Sequence, residues 1–409
     1  MNKTLTPSQF LEQRLTDIPT DIADQIRQQH EKLKDKEKTV LIIEQLMNVA
    51  DKHQWQIMRN EGSFYVYVGT HWQKVSDDVI VSFICEVAIR MGFKETSVRH
   101  YSFREGLLKQ FQIAGLRFFE MEDRNHIKVN FKNGTLHIMG SGELEFKYHN
   151  PEDGLRYMLN FDYQPGEDAP MFKEYLNRVL PNQCKQLPLA EFIGYAFSDL
   201  KLEKCLVLYG TGANGKSVFF DLVIALLGNE NISNYSLQSL TDGSGYSRAN
   251  LSGKLINYAS ELSPKMNTSF FKMLVSGEPI EARQVYQRAF LLHQIPKLIF
   301  NTNELPFDIE QNDGFYRRFM LIHFDQTISE QEMDPELARK IIATELPGVF
   351  NWVLEGLQRI STDKQFSPCE AVAKALVEFR EDHDPIRLFL SEIQAEPRHP
   401  EMSKMPLKM

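Results

Sequence analysis

Apolar positions follow a helical period in some stretches of the chain and form short unbroken runs in others. From Val40 to Ala50, apolar residues recur at intervals of three and four, which predicts an amphipathic helix. Aromatic and β-branched residues from Phe64 to Val68 precede Gly69 and predict a strand that ends in a turn. The Asn133-Gly134 pair lies between apolar residues and predicts a tight hairpin. We therefore expect a small α+β domain at the start of the chain.

The second half of the chain changes to buried-strand patterns. Helical segments predicted between Met171 and Leu200 lead into short apolar runs with polar or glycine-rich stretches between them. These runs are Cys205–Tyr209, Leu255–Ala259, Leu298–Asn303 and Phe319–Phe324, and a helical period from Ser217 to Leu227 follows the first. Strands that alternate with helices predict an α/β fold.

Composition excludes several classes of protein. Apolar residues make up 42% of the 409 residues and charged residues 25%, values typical of a globular chain with two or three domains. The net charge of −9 argues against a surface that binds duplex DNA on all sides, although it permits a locally basic channel. No run approaches the roughly 18 apolar residues of a membrane span, so we expect a soluble, cytoplasmic protein with no membrane partner.

Cysteine usage agrees with that location. The four cysteines are far apart and include no C-x-x-C pair; they are Cys85, Cys184, Cys205 and Cys369. This spacing implies neither a zinc site nor a disulfide framework, and it fits a reducing cytoplasm.

Candidate chemistry begins between the first buried strand and its helix. The residues there spell G-x-x-x-x-G-K-S and are Gly210, Thr211, Gly212, Ala213, Asn214, Gly215, Lys216 and Ser217. Glycines let several backbone N–H groups turn toward an anion, and the helix N-terminus adds partial positive charge. Lys216 is placed to reach the β- and γ-phosphates of ATP, and the Ser217 hydroxyl to join the ligand shell of Mg²⁺. The pattern predicts a nucleotide-binding loop.

Two later strand ends carry further polar candidates. Glu261 lies two positions after the run Leu255–Ala259, and a carboxylate there can hold Mg²⁺ or polarise an attacking water; the alternative is a polar loop residue. Asn303 ends the next run and can hydrogen-bond both the γ-phosphate and the water as a sensor of nucleotide state. The alternative for Asn303 is a turn or cap residue, for which asparagine is favoured.

An arginine pair precedes the last of the four strands. Arg317 and Arg318 stand directly before Phe319, and an arginine at such an edge can reach the γ-phosphate held by a neighbouring subunit. The alternative is that both arginines form ordinary surface ion pairs.

Taken together, these elements resemble the AAA+ core of superfamily three helicases, most closely the helicase part of phage and plasmid primase-helicases related to poxvirus primase-helicase. That family commonly has the loop G-x-G-x-N-G-K-S, as residues 210–217 do. The resemblance covers about residues 125 to 390. Its other matches are the helix and acidic turn Phe271–Ile280, the pair Ala282-Arg283, the strand end Thr302-Asn303, the arginine pair, and an upstream helical linker from Val129 to Pro165.

The resemblance implies a parallel sheet and a role for each matched residue. Lys216 and Ser217 would contact phosphate and Mg²⁺, and Glu261 would be the partner of metal or water. Many AAA+ proteins carry two adjacent acids there, so the division of those two tasks is open. Asn303 would be the sensor and Arg318 the trans-acting arginine finger, with Arg317 the weaker candidate.

The resemblance also implies a nucleic-acid contact. The segment from Glu281 to Gln294 corresponds to a loop that such helicases project into the channel. Arg283, Arg288 and nearby Lys272 are therefore candidates for contacting the phosphates of a strand, the alternative being solvent-facing or interface charges.

We expect four regions and one function. The regions are an N-terminal α+β domain of unassigned role (1–120), a helical linker (121–200), an AAA+ ATPase (201–362) and a C-terminal helical segment with tail (363–409). The function is an ATP-dependent DNA helicase that forms a ring, by expectation a hexamer, and translocates on single-stranded or forked DNA in replication of a phage, plasmid or other mobile element. A separate primase or polymerase is a further candidate partner.

Two alternatives are weighed against the helicase. One is an AAA+ ATPase that binds a replication origin or loads a helicase without sustained unwinding. The other is a P-loop small-molecule kinase, which fits poorly with the strand end Thr302-Asn303 and with the long N-terminal part.

Overall fold

The computed structural model describes residues 5–20, 34–60, 62–114, 126–260, 262, 266–285, 289–303, 305 and 313–381. The chain forms two compact units that divide between Tyr163 and Gln164. This division lies inside the segment 121–200 that the sequence assigns to a linker. The finer four-part division stays a prediction.

The first unit combines five helices with two antiparallel sheets among its described residues. The helices are α1 (Pro7–Arg14), α2 (Asp35–Lys52), α3 (Asp77–Arg90), α4 (Glu95–Val98) and α5 (Tyr101–Ile113). One sheet contains β1 (Ile57–Asn60), β2 (Ser63–Tyr67) and β3 (Trp72–Val75), and the other β4 (Ile127–Phe131), β5 (Gly134–Ile138) and β6 (Leu144–Lys147). Apolar side chains of α2, α3 and β2 share one core, as the helical and strand patterns predicted.

The hairpin predicted at Asn133-Gly134 is confirmed. Strands β4 and β5 pair antiparallel with Phe131 opposite Gly134, so Lys132 and Asn133 form the two-residue turn. The side chain of Asn133 also bonds the backbone of Tyr163 in both directions, at 3.0 and 2.9 Å. The turn is thereby fixed to the end of the unit.

A five-stranded parallel sheet forms the centre of the second unit. Its strands are β7 (Cys205–Tyr209), β8 (Ile232–Ser233), β9 (Ile256–Ala259), β12 (Lys297–Thr302) and β13 (Phe319–His323), in the order β13-β7-β12-β9-β8. Every neighbouring pair is parallel, so all carboxyl ends lie at one edge. A separate short hairpin contains β10 (Ile280–Ala282) and β11 (Phe290–Leu292). The predicted α/β fold with a parallel sheet is confirmed.

Helices cover the sheet because its strands are apolar on both faces. They are α6 (Pro170–Val179), α7 (Gln183–Tyr195), α8 (Lys216–Leu227), α9 (Leu237–Leu240), α10 (Tyr246–Ala249), α11 (Thr268–Ser276), α12 (Asp313–Tyr316), α13 (Leu337–Thr344), α14 (Leu346–Asp363) and α15 (Glu370–Glu381). On one face, Phe271 of α11 packs against Phe319 of β13 at a ring-centroid distance of 5.1 Å. Among the described segments, no helix has the length and apolar character that crossing a membrane requires.

The cysteines require a correction. Cys184 and Cys369 form a disulfide, with a distance of 1.93 Å between the two Sγ atoms, although the sequence implied none. The partners are 185 positions apart, and they meet because α15 begins beside the start of α7. No spacing rule predicts a pair that only the packing of two distant helices creates. Cys85 and Cys205 are buried free thiols.

Candidate nucleotide-binding site

The glycine-rich loop connects the carboxyl end of β7 to the first turn of α8. Ala213 and Gly215 take left-handed backbone conformations, with φ of 48° and 85°. Gly215 is the N-cap of α8, and a Cβ there would lie 2.6 Å from Cγ1 of Val179. Only glycine therefore fits both the conformation and the space. The N-terminus of α8 is left open at the carboxyl edge of the sheet, where parallel α/β sheets bind anionic ligands.

Lys216 points back into this loop. Its side chain is buried, and Nζ donates to the carbonyl oxygen of Gly210 at 2.7 Å and to Oδ1 of Asn214 at 3.0 Å. Burial lowers the pKa of Lys216, because desolvation disfavours the charged ammonium. The loop's own oxygens thus hold a cation where the motif predicts contact with phosphate.

Asn214 connects the loop to the last strand. Its Nδ2 donates to the carbonyl oxygen of Phe324, just past β13, at 3.1 Å. Nearby, the N–H of Ile328 donates to the carbonyl of Ala213 at 2.8 Å. The sequence marked Asn214 only as a loop member, because the contact with Phe324 spans 110 positions and leaves no local signal.

Of the other predicted ligands of nucleotide and metal, some lie at the same edge of the sheet as the loop and one lies outside the described residues. Ser217 is exposed on the first turn of α8, and Thr211 is exposed in the loop. Asn303 is exposed directly after β12, which lies between β7 and β9, so it shares the loop's edge of the sheet. Glu261 lies outside the described residues, two positions after β9 ends. The structure therefore brings Lys216, Ser217 and Asn303 to one edge.

A buried polar pair, which was not predicted from the sequence, lies near this edge. Tyr258 of β9 donates its hydroxyl to Oδ1 of Asn301 in β12 at 2.9 Å. Burial raises the pKa of Tyr258 well above its ordinary value, so the group stays a hydroxyl and a donor. An amide inside the apolar run that begins at Leu298 was the available signal, since a buried amide needs a specific partner.

The arginine pair lies at the opposite, amino edge of the sheet. The side chain of Arg318 is 10% exposed, and its Nη2 donates to Oγ of Ser276 at 3.0 Å and pairs with Glu203 at 3.4 Å. The side chain of Arg317 is 63% exposed, and its Nη2 donates to the same Glu203 carboxylate at 2.9 Å. Arg318 also donates to the carbonyl of Gly314. Of the two arginines, Arg317 is the accessible one.

The predicted nucleic-acid residues surround the β10–β11 hairpin. The segment from Glu281 to Gln294 contains the last two residues of β10 and all of β11, with Glu281 paired to Leu291. Arg283 is exposed just after β10, and Lys272 is half-buried on α11. Arg288 lies outside the described residues.

Fold and site together define an α/β protein whose glycine loop opens at the carboxyl edge of a parallel sheet. Residues 42–181 match the family described as D5 N terminal like, and residues 208–318 match a family of unknown function (DUF5906). The C-terminal region of NrS-1 has a similar structure, with a TM-score of 0.53, 15% identity, and coverage of 81% of this chain and 73% of that one.

Two viral proteins are similar in sequence. L207/L206 of Acanthamoeba polyphaga mimivirus, a helicase by name, is 25% identical over 267 residues, which are 61% of this chain and 27% of that protein. C962R of African swine fever virus, a primase by name, is 23% identical over 307 residues, 67% of this chain and 32% of that protein. These similarities support a phage or viral primase-helicase family for this chain. It spans about a third or less of these relatives' length.

Proposed function

We propose that this protein is an AAA+ ATPase that assembles as a ring, a hexamer by expectation, and moves on single-stranded DNA to separate a duplex during replication. The names of the viral relatives support a helicase or primase role. The loop at residues 210–217 supports the choice of ATP as fuel.

The loop's geometry fits a nucleotide. The N-terminus of α8, the left-handed Gly215 and the inward Lys216 supply backbone donors and a cation for phosphate oxygens. The exposed Ser217 hydroxyl fits a ligand of Mg²⁺, and Glu261 is its proposed second partner. Mg²⁺, when bound, neutralises charge on the β- and γ-phosphates.

The main support for a ring assembly is the distance between the glycine-rich loop and the arginine pair. Strands β7 and β13 are parallel neighbours; the loop leaves the carboxyl end of β7, and Arg318 precedes the amino end of β13. Five strand residues separate these ends by about 16 Å. Neither arginine reaches its own protomer's loop along that path, so a cation from the pair would act on a neighbour's nucleotide.

The proposed reaction is in-line attack of water on the γ-phosphate. Glu261 would polarise the water, Asn303 would orient it, and Lys216 would stabilise the charge that develops on the phosphoryl oxygens. The accessible Arg317, with Arg318 behind it, would supply the last positive charge from the neighbouring protomer. Nucleotide state would then move the β10–β11 hairpins, with Arg283, Arg288 and Lys272, along the strand.

The test is strand separation on a forked DNA substrate with ATP and Mg²⁺. We expect unwinding that requires hydrolysis, and Lys216→Ala as the inactive control. ATP hydrolysis without strand separation would instead support a helicase loader or origin-binding ATPase. A protein that stays monomeric with nucleotide and single-stranded DNA, and hydrolyses ATP at the same rate without DNA, would contradict the proposal.

A further inference from the structure

The phosphate loop is supported by a helix outside the segment predicted to form the ATPase. Tyr175 lies on α6, before residue 201, and its hydroxyl donates to the carbonyl oxygen of Gly215 at 2.8 Å. The same carbonyl accepts the first intrahelical bond of α8, from Phe219 N–H at 3.1 Å. Two donors from different elements therefore hold the peptide that joins Gly215 to Lys216.

The orientation of that peptide matters for an anion. In a trans peptide the C=O and N–H groups point in opposite directions. Because the Gly215 carbonyl is directed toward Tyr175 and α8, the N–H of Lys216 is directed away from them, toward the open end of the helix. Backbone N–H groups at that end are the donors that bind phosphate.

Helix α6 is itself held firmly in place. The buried carboxylate of Glu345 accepts the backbone N–H groups of Met171 and Phe172 at 3.0 and 2.9 Å, at the start of α6. At the other end, Val179 occupies the space where a Cβ on Gly215 would lie. Tyr175 is 3% exposed, and burial raises the pKa of its hydroxyl well above the ordinary value, so it stays a donor.

We propose that Tyr175 is a positioning residue of the nucleotide site, which acts through the Gly215–Lys216 peptide and makes α6 part of that site. The inference rests on the proposed function, since it concerns how the loop binds a nucleotide. It also means that residues 201–362 alone do not complete the site, because its support begins in α6.

The test is Tyr175→Phe in the full chain, with the dissociation constants of Mg·ADP and Mg·ATP measured by calorimetry. Loss of the hydroxyl should raise both constants by about three- to tenfold, because one hydrogen bond that orients a shared phosphate donor is removed. The KM for ATP should rise with them, while kcat at saturating ATP stays within about twofold, as for a loss of uniform binding.

Tyr195→Phe is the matched control. Tyr195 is equally buried, and its hydroxyl accepts the N–H of Leu202 at 2.9 Å, before β7 and away from the loop. Loss of the Tyr195 hydroxyl should lower thermal stability by about as much as Tyr175→Phe does, because each variant loses one buried hydrogen bond. It should leave both dissociation constants unchanged.

Three outcomes would contradict the positioning role of Tyr175. Unchanged nucleotide affinity in Tyr175→Phe would overturn the positioning role, as would an equal loss of affinity in Tyr195→Phe. A fall in kcat with unchanged KM would also contradict it. Failure of the proposed function has a different result: the wild-type chain would bind neither nucleotide, or it would bind both and hydrolyse ATP without separating strands, whatever residue occupies position 175.

Discussion

The two edges of the parallel sheet both carry cations but hold them differently. At the carboxyl edge, Lys216 is buried and bonded to two oxygens of its own loop. At the amino edge, Arg317 and Arg318 share the single carboxylate of Glu203, and the side chain of Arg317 is 63% exposed. The chain therefore holds a buried, bonded cation at one edge of the sheet and an accessible cation at the other.

Under the proposed ring assembly, this difference would place the neighbouring subunit at the amino edge. The ammonium of Lys216 can exchange the loop oxygens that it bonds for phosphate oxygens. The exposed guanidinium of Arg317 shares the Glu203 carboxylate with Arg318, so it retains donors that can bind another anion. The amino edge also contains Lys297, which is held by the carbonyl of Leu200 and the ring of Tyr195, so not every cation there is available.

Lys216→Ala should abolish the chemistry of the carboxyl edge. Removing the ammonium deprives the γ-phosphate of its charge partner, so we expect ATP turnover to fall by at least about a hundredfold. Steady-state phosphate release measures it, and Lys340→Ala, which removes an exposed lysine paired with Asp334, is the control. Near-normal turnover in Lys216→Ala would remove the cradle from the proposal.

The exposed Arg317 and the buried Arg318 should have different mutant effects. Arg317→Ala should keep nucleotide binding and lose hydrolysis by about a thousandfold, because a trans-acting arginine acts mainly in the transition state. Mixing it with Lys216→Ala subunits should restore part of the activity, since one variant retains Lys216 and the other retains Arg317.

Arg318→Ala should mainly lower the free energy of unfolding, by about 1–3 kcal/mol, because Ser276 and Glu203 lose a buried donor.

The reverse result is equally informative. If Arg318→Ala, and not Arg317→Ala, shows rescue by mixing, the finger role belongs to Arg318, as the family resemblance implies. If neither variant is rescued, the arginines act within their own subunit and the ring proposal fails.

Cys369→Ser should affect stability without affecting the loop. We expect the free energy of unfolding to fall by about 2–4 kcal/mol, because the Cys184–Cys369 crosslink closes a long chain segment. Urea titration with and without reductant measures it, and reductant should lower wild-type stability to that of the variant. Nucleotide affinity should stay within about twofold; a larger change would mean that the carboxyl edge depends on the crosslink.

Lys297→Met should reveal the cost of a buried cation at the amino edge. Burial lowers the pKa of Lys297 to about 8. Between that value and its ordinary pKa the unfolded chain binds more protons, so this lysine's contribution to stability rises with pH through that window. The stability advantage of Lys297→Met over wild type should therefore shrink by about 2 kcal/mol between pH 7 and pH 10 in urea titrations. A difference independent of pH would contradict the lowered pKa.

Local patterns predicted much of the fold. The runs at Cys205, Leu298 and Phe319 each became strands, and the Asn133-Gly134 pair became a hairpin, because strand period and turn geometry depend on neighbouring residues. The site was predicted less completely. The motif located Lys216, but nothing near Tyr175 in the sequence marks that residue as part of the loop's surroundings, and the amide of Asn301 was the only signal of the buried pair with Tyr258.

The order of residues alone determined which segments form the main strands, where the glycine loop falls and which protein family the chain resembles, since these depend on short-range pattern and motif. Tertiary structure alone decided that β12 lies between β7 and β9, that Cys184 meets Cys369, and that Arg318 is buried while Arg317 is exposed. Those outcomes depend on which distant surfaces pack together. Packing free energy is shared among many residues, so no short segment carries it.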